Sequence, residues 1–228
     1  IGSNKDEFKT CENGIVVEDG KMYASIAIPH SKLGMTAADL KDGAAYAFSI
    51  IRISATSEHE YAGWLAWGAF FGANNAYNAN SSVDNVIVLR DKIASQGSVI
   101  ESKRAFTAPA IGSKITNDGW GEPAIKVDKN SYNTSLYRHN ADPEDCSMTI
   151  YTVWDENNLY IGVVSEETDV RGDEDSWEGD GLQFKISAGK TMSADAANIY
   201  FTLGADGTSV TIGSNKDEFK TCENGIVV

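Results

Sequence analysis

The stretch 169–180 carries six carboxylates, Asp169, Asp173, Glu174, Asp175, Glu178 and Asp180, around a single tryptophan, Trp177. Three chemistries are open to side chains at that density. Several oxygens converging from a flexible loop hold calcium. Two carboxylates facing each other across a cleft, about 5–10 Å apart, hydrolyse a glycosidic bond. Carboxylates that do neither form a solvated acidic loop. The calcium reading selects Asp169, Asp173, Asp175 and Asp180, although their spacing is not the D-x-D-x-D-G pattern with a closing Glu of an EF-hand. Glu178 and Asp180 stand two apart, so on a strand they share one face rather than oppose each other. The chain is therefore expected not to be an enzyme.

The remaining reactive residues form no constellation. His30, His59 and His139 are scattered without metal spacing, and no nucleophile elbow, phosphate loop or dinucleotide fingerprint occurs. Cys11, Cys146 and Cys222 follow no zinc pattern. In an oxidising compartment Cys146 would pair with one of the other two; buried thiols are the alternative. Trp64 and Trp67, in GWLAWGAFFG, lie on opposite faces of a strand or one side of a helix. They read as core, with an exposed aromatic platform as the alternative.

Charge narrows the partners. Over 228 residues, 19 Lys+Arg stand against 33 Asp+Glu, a net charge of −14. A nucleic-acid backbone or an anionic membrane surface would be repelled. No run of about 18 apolar residues occurs, so membrane insertion is not expected. Neutral sugars and calcium remain compatible.

The chain also repeats itself. Ile1–Val17 reads IGSNKDEFKTCENGIVV, and Ile212–Val228 reads the same. An array of near-identical modules, a circular permutation and a duplicated junction would each produce this. One fold has one place for such a segment, so a spare copy is free to fray or to fill the same place in a neighbour.

The elements that must position these residues read almost entirely as strands. Met22–Ile28 alternates, Tyr46–Ser54 is a β-branched and aromatic run, and Val86–Arg90 is a short buried strand. Cys146–Trp154 and Leu159–Val164 flank Asp155-Glu156-Asn157-Asn158 as a hairpin. Leu182–Ser187 follows. Ile199–Leu203 and Thr208–Ile212 flank a second turn, Gly204-Ala205-Asp206-Gly207. Thr36–Leu40 alone reads as a helical turn or two. Residues 95–113 read as a linker between a first part, 1–94, and a second part, 114–228. The expected fold is all-β, an antiparallel jelly-roll-like sandwich with a duplicated terminal strand.

Placed in the order 115–228 then 18–93, the sequence resembles the family 9 carbohydrate-binding modules and their DOMON-like relatives. The residues that carry this are Ile115-Thr116-Asn117-Asp118-Gly119-Trp120-Gly121-Glu122-Pro123, the hairpin Trp154-Asp155-Glu156-Asn157-Asn158-Leu159-Tyr160-Ile161, and Trp177-Glu178-Gly179-Asp180. Tyr23-Ala24-Ser25-Ile26-Ala27-Ile28-Pro29 and Asp84-Asn85-Val86-Ile87-Val88-Leu89 match the later segments. The resemblance implies an extracellular β-sandwich that binds a polysaccharide or glycan, often with structural calcium. It places a sugar between two aromatic rings, here Trp177 and Tyr77. Tyr77 stands where the family has a tryptophan. Flat rings pack against the axial C–H groups of a sugar while polar groups at the rim take its hydroxyls. Glu178, Asn75 and Asn78, with Asn74 and Asn80, are the candidates for that rim. Some DOMON relatives bind haem through Met and His, for which Met148 and His139 would have to serve. The alternative to a sugar-binding module is a structural repeat of a filament, sheath or stalk whose duplicated strand completes a neighbouring subunit.

Overall fold

A computed structural model describes residues 11–57, 60–67, 86–92, 99–131, 134–138, 146–166, 180–193, 196–203, 210–213, 220–221 and 226–227. The strands in chain order are β1 (Asn13–Glu18), β2 (Lys21–Pro29), β3 (Ala45–Ser57), β4 (Glu60–Trp67), β5 (Val86–Arg90), β6 (Ile100–Arg104), β7 (Ile125–Val127) and β8 (Thr134–Arg138). They continue as β9 (Met148–Trp154), β10 (Asn158–Glu166), β11 (Gly181–Ala188), β12 (Ala197–Leu203), β13 (Val210–Gly213), β14 (Lys220–Thr221) and β15 (Ile226–Val227). Among the described residues helix is almost absent. A 3-10 turn covers His30–Leu33, and a short helical turn covers Asn117–Trp120.

All the strands join one sheet, in the order β14-β13-β12-β11-β3-β5-β6-β9-β10-β2-β1-β15, with β4 and β8 added beside β3 and β7 beside β9. The chain itself forces this sheet to curl. β14 and β15 stand at opposite ends of the path, yet only residues 222–225 separate them in sequence. Five steps of extended chain reach about 18 Å, so the two ends must come at least that close.

Alternation then builds one core. Met22, Ala24, Ile26 and Ile28 of β2 face inward with Tyr46, Phe48 and Ile50 of β3, Leu159, Ile161 and Val163 of β10, and Leu182, Phe184 and Ile186 of β11. Trp67 of β4 joins them. The expectation that Trp67 is core holds; the side chain of Trp64, like Phe70 and Phe71, lies outside the described residues. Cys11 and Cys146 are both buried in the same core.

The fold is all-β, as the sequence indicates, but the sheet is mixed rather than purely antiparallel. β5 and β6 pair in parallel, as do β6 and β9 and β1 and β15. β6 lies inside the stretch 95–113 expected to be a linker. Its sequence, IESKR, reads as polar because its buried positions are met by polar partners. Ser102 Oγ lies 3.0 Å from Thr152 Oγ1, and Glu101 accepts from Arg90 Nε at 3.1 Å. The expected helical turn at Thr36–Leu40 is instead a tight turn. Its Thr36 N–H and Oγ1–H both donate to Asp39 Oδ2, and the helical turn falls earlier, at His30–Leu33.

A second apolar layer lies on the outer face of β2, β9 and β10, where Ile115 and Trp120 cover Tyr23, Val153 and Tyr160. Gly162 makes room for it. A Cβ built there would lie 2.8 Å from Ile115 Cδ1 and 3.0 Å from both Trp120 Cη2 and Cζ3. Replacing a strand glycine with alanine ordinarily helps by up to about 1 kcal/mol. Gly162→Ala should do the reverse and cost about 1–3 kcal/mol by overpacking, read by urea denaturation. A neutral or stabilising result would mean that Trp120 does not rest on β10.

Candidate functional site

The apolar row of β3 ends in a charge. Tyr46, Phe48 and Ile50 point into the core, and Arg52 continues the same face at 0% exposure. A guanidinium cannot be left alone in such a place. Register supplies its partner: Leu182 of β11 stands opposite Arg52, so Asp180, just ahead of that strand, falls beside it. Arg52 Nη1 lies 3.4 Å from Asp180 Oδ1, and Asp180 is 1% exposed. Arg52 Nε donates to Ser165 Oγ at 2.9 Å, and that hydroxyl donates to the Ser147 carbonyl at 2.9 Å. Residues from β3, β10, the start of β9 and the entry to β11 are thus tied together at one end of the core.

Asp180 is the last residue of the acidic stretch 169–180 and one of the four carboxylates selected for calcium. A fixed guanidinium beside Oδ1 commits that oxygen to an ion pair. The other three, Asp169, Asp173 and Asp175, lie outside the described residues, as do Trp177, Glu178, Tyr77, Asn74, Asn75, Asn78 and Asn80. His139, considered for haem, lies outside them too, while Met148 is buried in the core. Among the described residues no three His, Cys, Asp or Glu side chains are placed to hold a metal ion. No helix among them is long and apolar enough to cross a membrane.

The opposite end of the row on β3 carries a second polar group that sequence reasoning missed. Six residues from Arg52, or about 20 Å along a strand, Tyr46 Oη lies 2.6 Å from His30 Nδ1. His30 Nε2 lies 2.9 Å from the Asp155 carbonyl. A carbonyl only accepts, so Nε2 carries the proton and Nδ1 accepts from the tyrosine. The imidazole is then neutral and fully used. Trp154 meets its ring edge-on at 6.4 Å between centroids.

The neighbouring hairpin turn is locked in the same way. Asp155 Oδ1 accepts the backbone N–H groups of Asn157 and Asn158 at 2.7 and 2.8 Å, and Oδ2 accepts the Tyr160 hydroxyl at 2.6 Å. Burial alone would raise the Asp155 pKa, but these hydrogen bonds outweigh it and the carboxyl sits below its ordinary value. Tyr160 is pushed up to about 12, by burial first and then by its bond to Asp155. The Trp-Asp-Glu-Asn-Asn-Leu-Tyr motif therefore works as architecture. Its tryptophan and leucine enter the core, and its aspartate and tyrosine clamp the turn. Sequence shows the hairpin plainly; His30 left only the signal of following the alternating strand β2.

Burial lowers the pKa of His30 below its ordinary 6.5, against smaller raising effects from Asp155 and Asn158. The unfolded chain then takes up the proton first as pH falls. Stability from this site is complete above about pH 6.5 and is lost as pH drops from there towards the folded value. Denaturation midpoints should fall between pH 7.5 and 5 by more in this protein than in His30→Gln. Equal slopes would show that His30 does not carry the effect.

No protein-family model matches the chain, and neither does any characterised protein or solved structure.

Proposed function

We propose that the chain is a non-catalytic, extracellular carbohydrate-binding module with a β-sandwich arrangement of its curled sheet. The observation that supports this is the Arg52–Asp180 pair. It fixes the end of the segment Trp177-Glu178-Gly179-Asp180 in the core. Covalent geometry keeps Trp177 within about 10 Å of that point. An aromatic ring held near a rigid anchor loses little freedom when a sugar stacks on it, which favours binding. Trp177 and Tyr77 supply the stacking faces; Glu178, Asn75 and Asn78 supply the polar rim. Calcium held by Asp169, Asp173 and Asp175 would stiffen the loop that leads to the anchor.

Isothermal titration against cellobiose, xylose oligomers and glucose tests the reading. Heat of binding should appear with at least one of them, and Trp177→Ala should weaken it by about 10- to 100-fold, the range expected for one stacked ring. No heat with any sugar, or an unchanged affinity in Trp177→Ala, would remove the proposal.

A second reading, assembly through the duplicated segment, has its own support. Ile15 pairs with Ile226 and Val16 with Val227, and these are the same residues of the two identical copies. The remainder of the segment is divided. The first copy supplies β1, while the second supplies Ile212-Gly213 of β13. Identical segments in parallel register are the pairing that stacks copies from separate molecules. Deleting residues 222–228 removes β15 and leaves β13 whole. Self-association that disappears with this deletion supports the assembly reading, and a monomer with the segment intact opposes it.

A further inference from the structure

The two copies of the duplicated segment meet in the fold. Residues 11–17 of the first copy read CENGIVV, and they are seated in the sheet. Cys11, Asn13, Ile15 and Val16 are all buried, and Cys11 and Ile15 belong to the main core. β1 runs antiparallel to β2, from Asn13 opposite Ile26 to Glu18 opposite Lys21. The Ala27 N–H donates to the Glu12 carbonyl at 2.8 Å and extends that pairing. Residues 222–228 of the second copy also read CENGIVV. Whatever makes this sequence fit β2 and the core is therefore present twice in one chain.

The second copy is also placed to take the same seat. β15 flanks β1 on the side away from β2. The pairing is parallel, and it sets Ile226 beside Ile15 and Val227 beside Val16, each residue against its own twin. β15 thus already runs antiparallel to β2, as β1 does. A sideways shift of one strand spacing, about 4.8 Å, would bring Ile226 to the place of Ile15 with no reversal of direction. It needs no slip either, and a slip of one residue would turn every side chain to the wrong face.

What holds the first copy in place at rest lies just beyond the repeat. Asp19 and Gly20 have φ of 54° and 71°. Positive values at both central residues are what a two-residue I′ turn requires, so a tight hairpin closes β1 onto β2. Lys114 Nζ lies 3.3 Å from Glu18 and 2.9 Å from Asp19 and braces that turn.

We infer that residues 222–228 are a second occupant of the β1 seat, taking it within the same chain when the first copy is withdrawn. The exchange keeps β2 and its core contacts and frees residues 1–17. A strand tethered in the same chain, one strand spacing away, binds at high effective concentration. The exchange therefore does not depend on assembly between molecules.

The test disables each copy in turn in the full chain. Ile15→Asp withdraws the first copy, because a carboxylate is not carried into a core position of 0% exposure. Ile226→Asp does the same to the second copy, and the double variant disables both. Urea denaturation and size-exclusion chromatography are the measurements. Ile226→Asp should keep the urea midpoint of the unmodified protein. Ile15→Asp should remain a folded monomer with a cooperative transition at a lower midpoint. The double variant should lose the transition altogether. Thiol labelling identifies the occupant. Tryptic peptides 10–21 and 221–228 report Cys11 and Cys222 separately, because the first runs on to Lys21. Cys11, which is buried, should resist iodoacetamide in the unmodified protein. In Ile15→Asp it should react, and Cys222 should be the protected thiol. An Ile15→Asp protein that does not fold overturns the inference, as does a double variant that still folds. So does an Ile226→Asp protein that does not fold, which would make both copies necessary. An Ile15→Asp protein that folds only as an oligomer also overturns it, because the seat is then filled from a neighbouring chain and assembly through the segment is what survives. Cys11 that stays protected in Ile15→Asp would show that the first copy never leaves.

Discussion

Asp180→Ala should lower the unfolding free energy by about 3–5 kcal/mol, the cost of removing one member of a buried ion pair. The magnitude follows from where the charge is left. Arg52 is fully buried, beyond Ile50 at the end of the core row, where a change in its charge partners is felt at low dielectric. In the variant the guanidinium loses the buried carboxylate at 3.4 Å, and the junction of β3, β10 and β11 loses the contact that joins Asp180 to it. Arg52→Met should cost a comparable amount by removing the guanidinium beside Asp180. The double variant Arg52→Met, Asp180→Leu removes both charges and should recover most of the loss, because apolar replacements of a buried pair are often neutral. Urea denaturation of the four proteins closes the cycle. A cost below about 1 kcal/mol for Asp180→Ala, the range of exposed pairs, would show that the pair is solvated and anchors nothing. The double variant also tests function. It restores the fold while removing the charged tether, so weakened sugar binding in a stable protein would tie the anchor to recognition.

The visibility of these features in the sequence depended on whether their cause was local. The β9–β10 hairpin is legible because its turn is made by its own side chains, with Asp155 holding Asn157 and Asn158. β2 is legible from alternation, and the β12–β13 hairpin from glycine and aspartate between two strands. β6 was hidden because Ser102 and Glu101 are buried against Thr152 and Arg90, partners that no window around residue 100 contains. The Arg52–Asp180 pair spans 128 residues of chain. A signal for half of it did exist. Arg52 shares the parity of Tyr46, Phe48 and Ile50 in YAFSIIRIS, which predicts an inward-facing arginine in need of an acid. Which acid answers it is set by sheet register, and that is a property of the whole fold. The parallel pairs were missed for the same reason, since hairpin signals report only antiparallel neighbours.

Trp154→Ala should be the other severe lesion, at about 3–5 kcal/mol for truncating a buried aromatic. Three parts of the fold meet on this ring. Its body is core, its Nε1–H donates to the Arg90 carbonyl at 3.2 Å, and Arg104 lies over its face at 5.1 Å, where a cation is attracted to the π system. Its edge also shields His30. Trp154→Phe keeps an aromatic body and should cost clearly less, because it loses the N–H bond and part of the cation–π contact without opening a large cavity. The histidine supplies a readout that stability alone does not. Its pKa is depressed first by burial, so admitting water at position 154 should raise it towards its ordinary value, visible as a shifted NMR titration of the imidazole C–H groups. Stability would then be lost over a narrower acidic range, since the folded and unfolded values move together. If Trp154→Ala lowered stability yet left the His30 titration unchanged, the ring would be filler in the core and not the wall that keeps the imidazole dry.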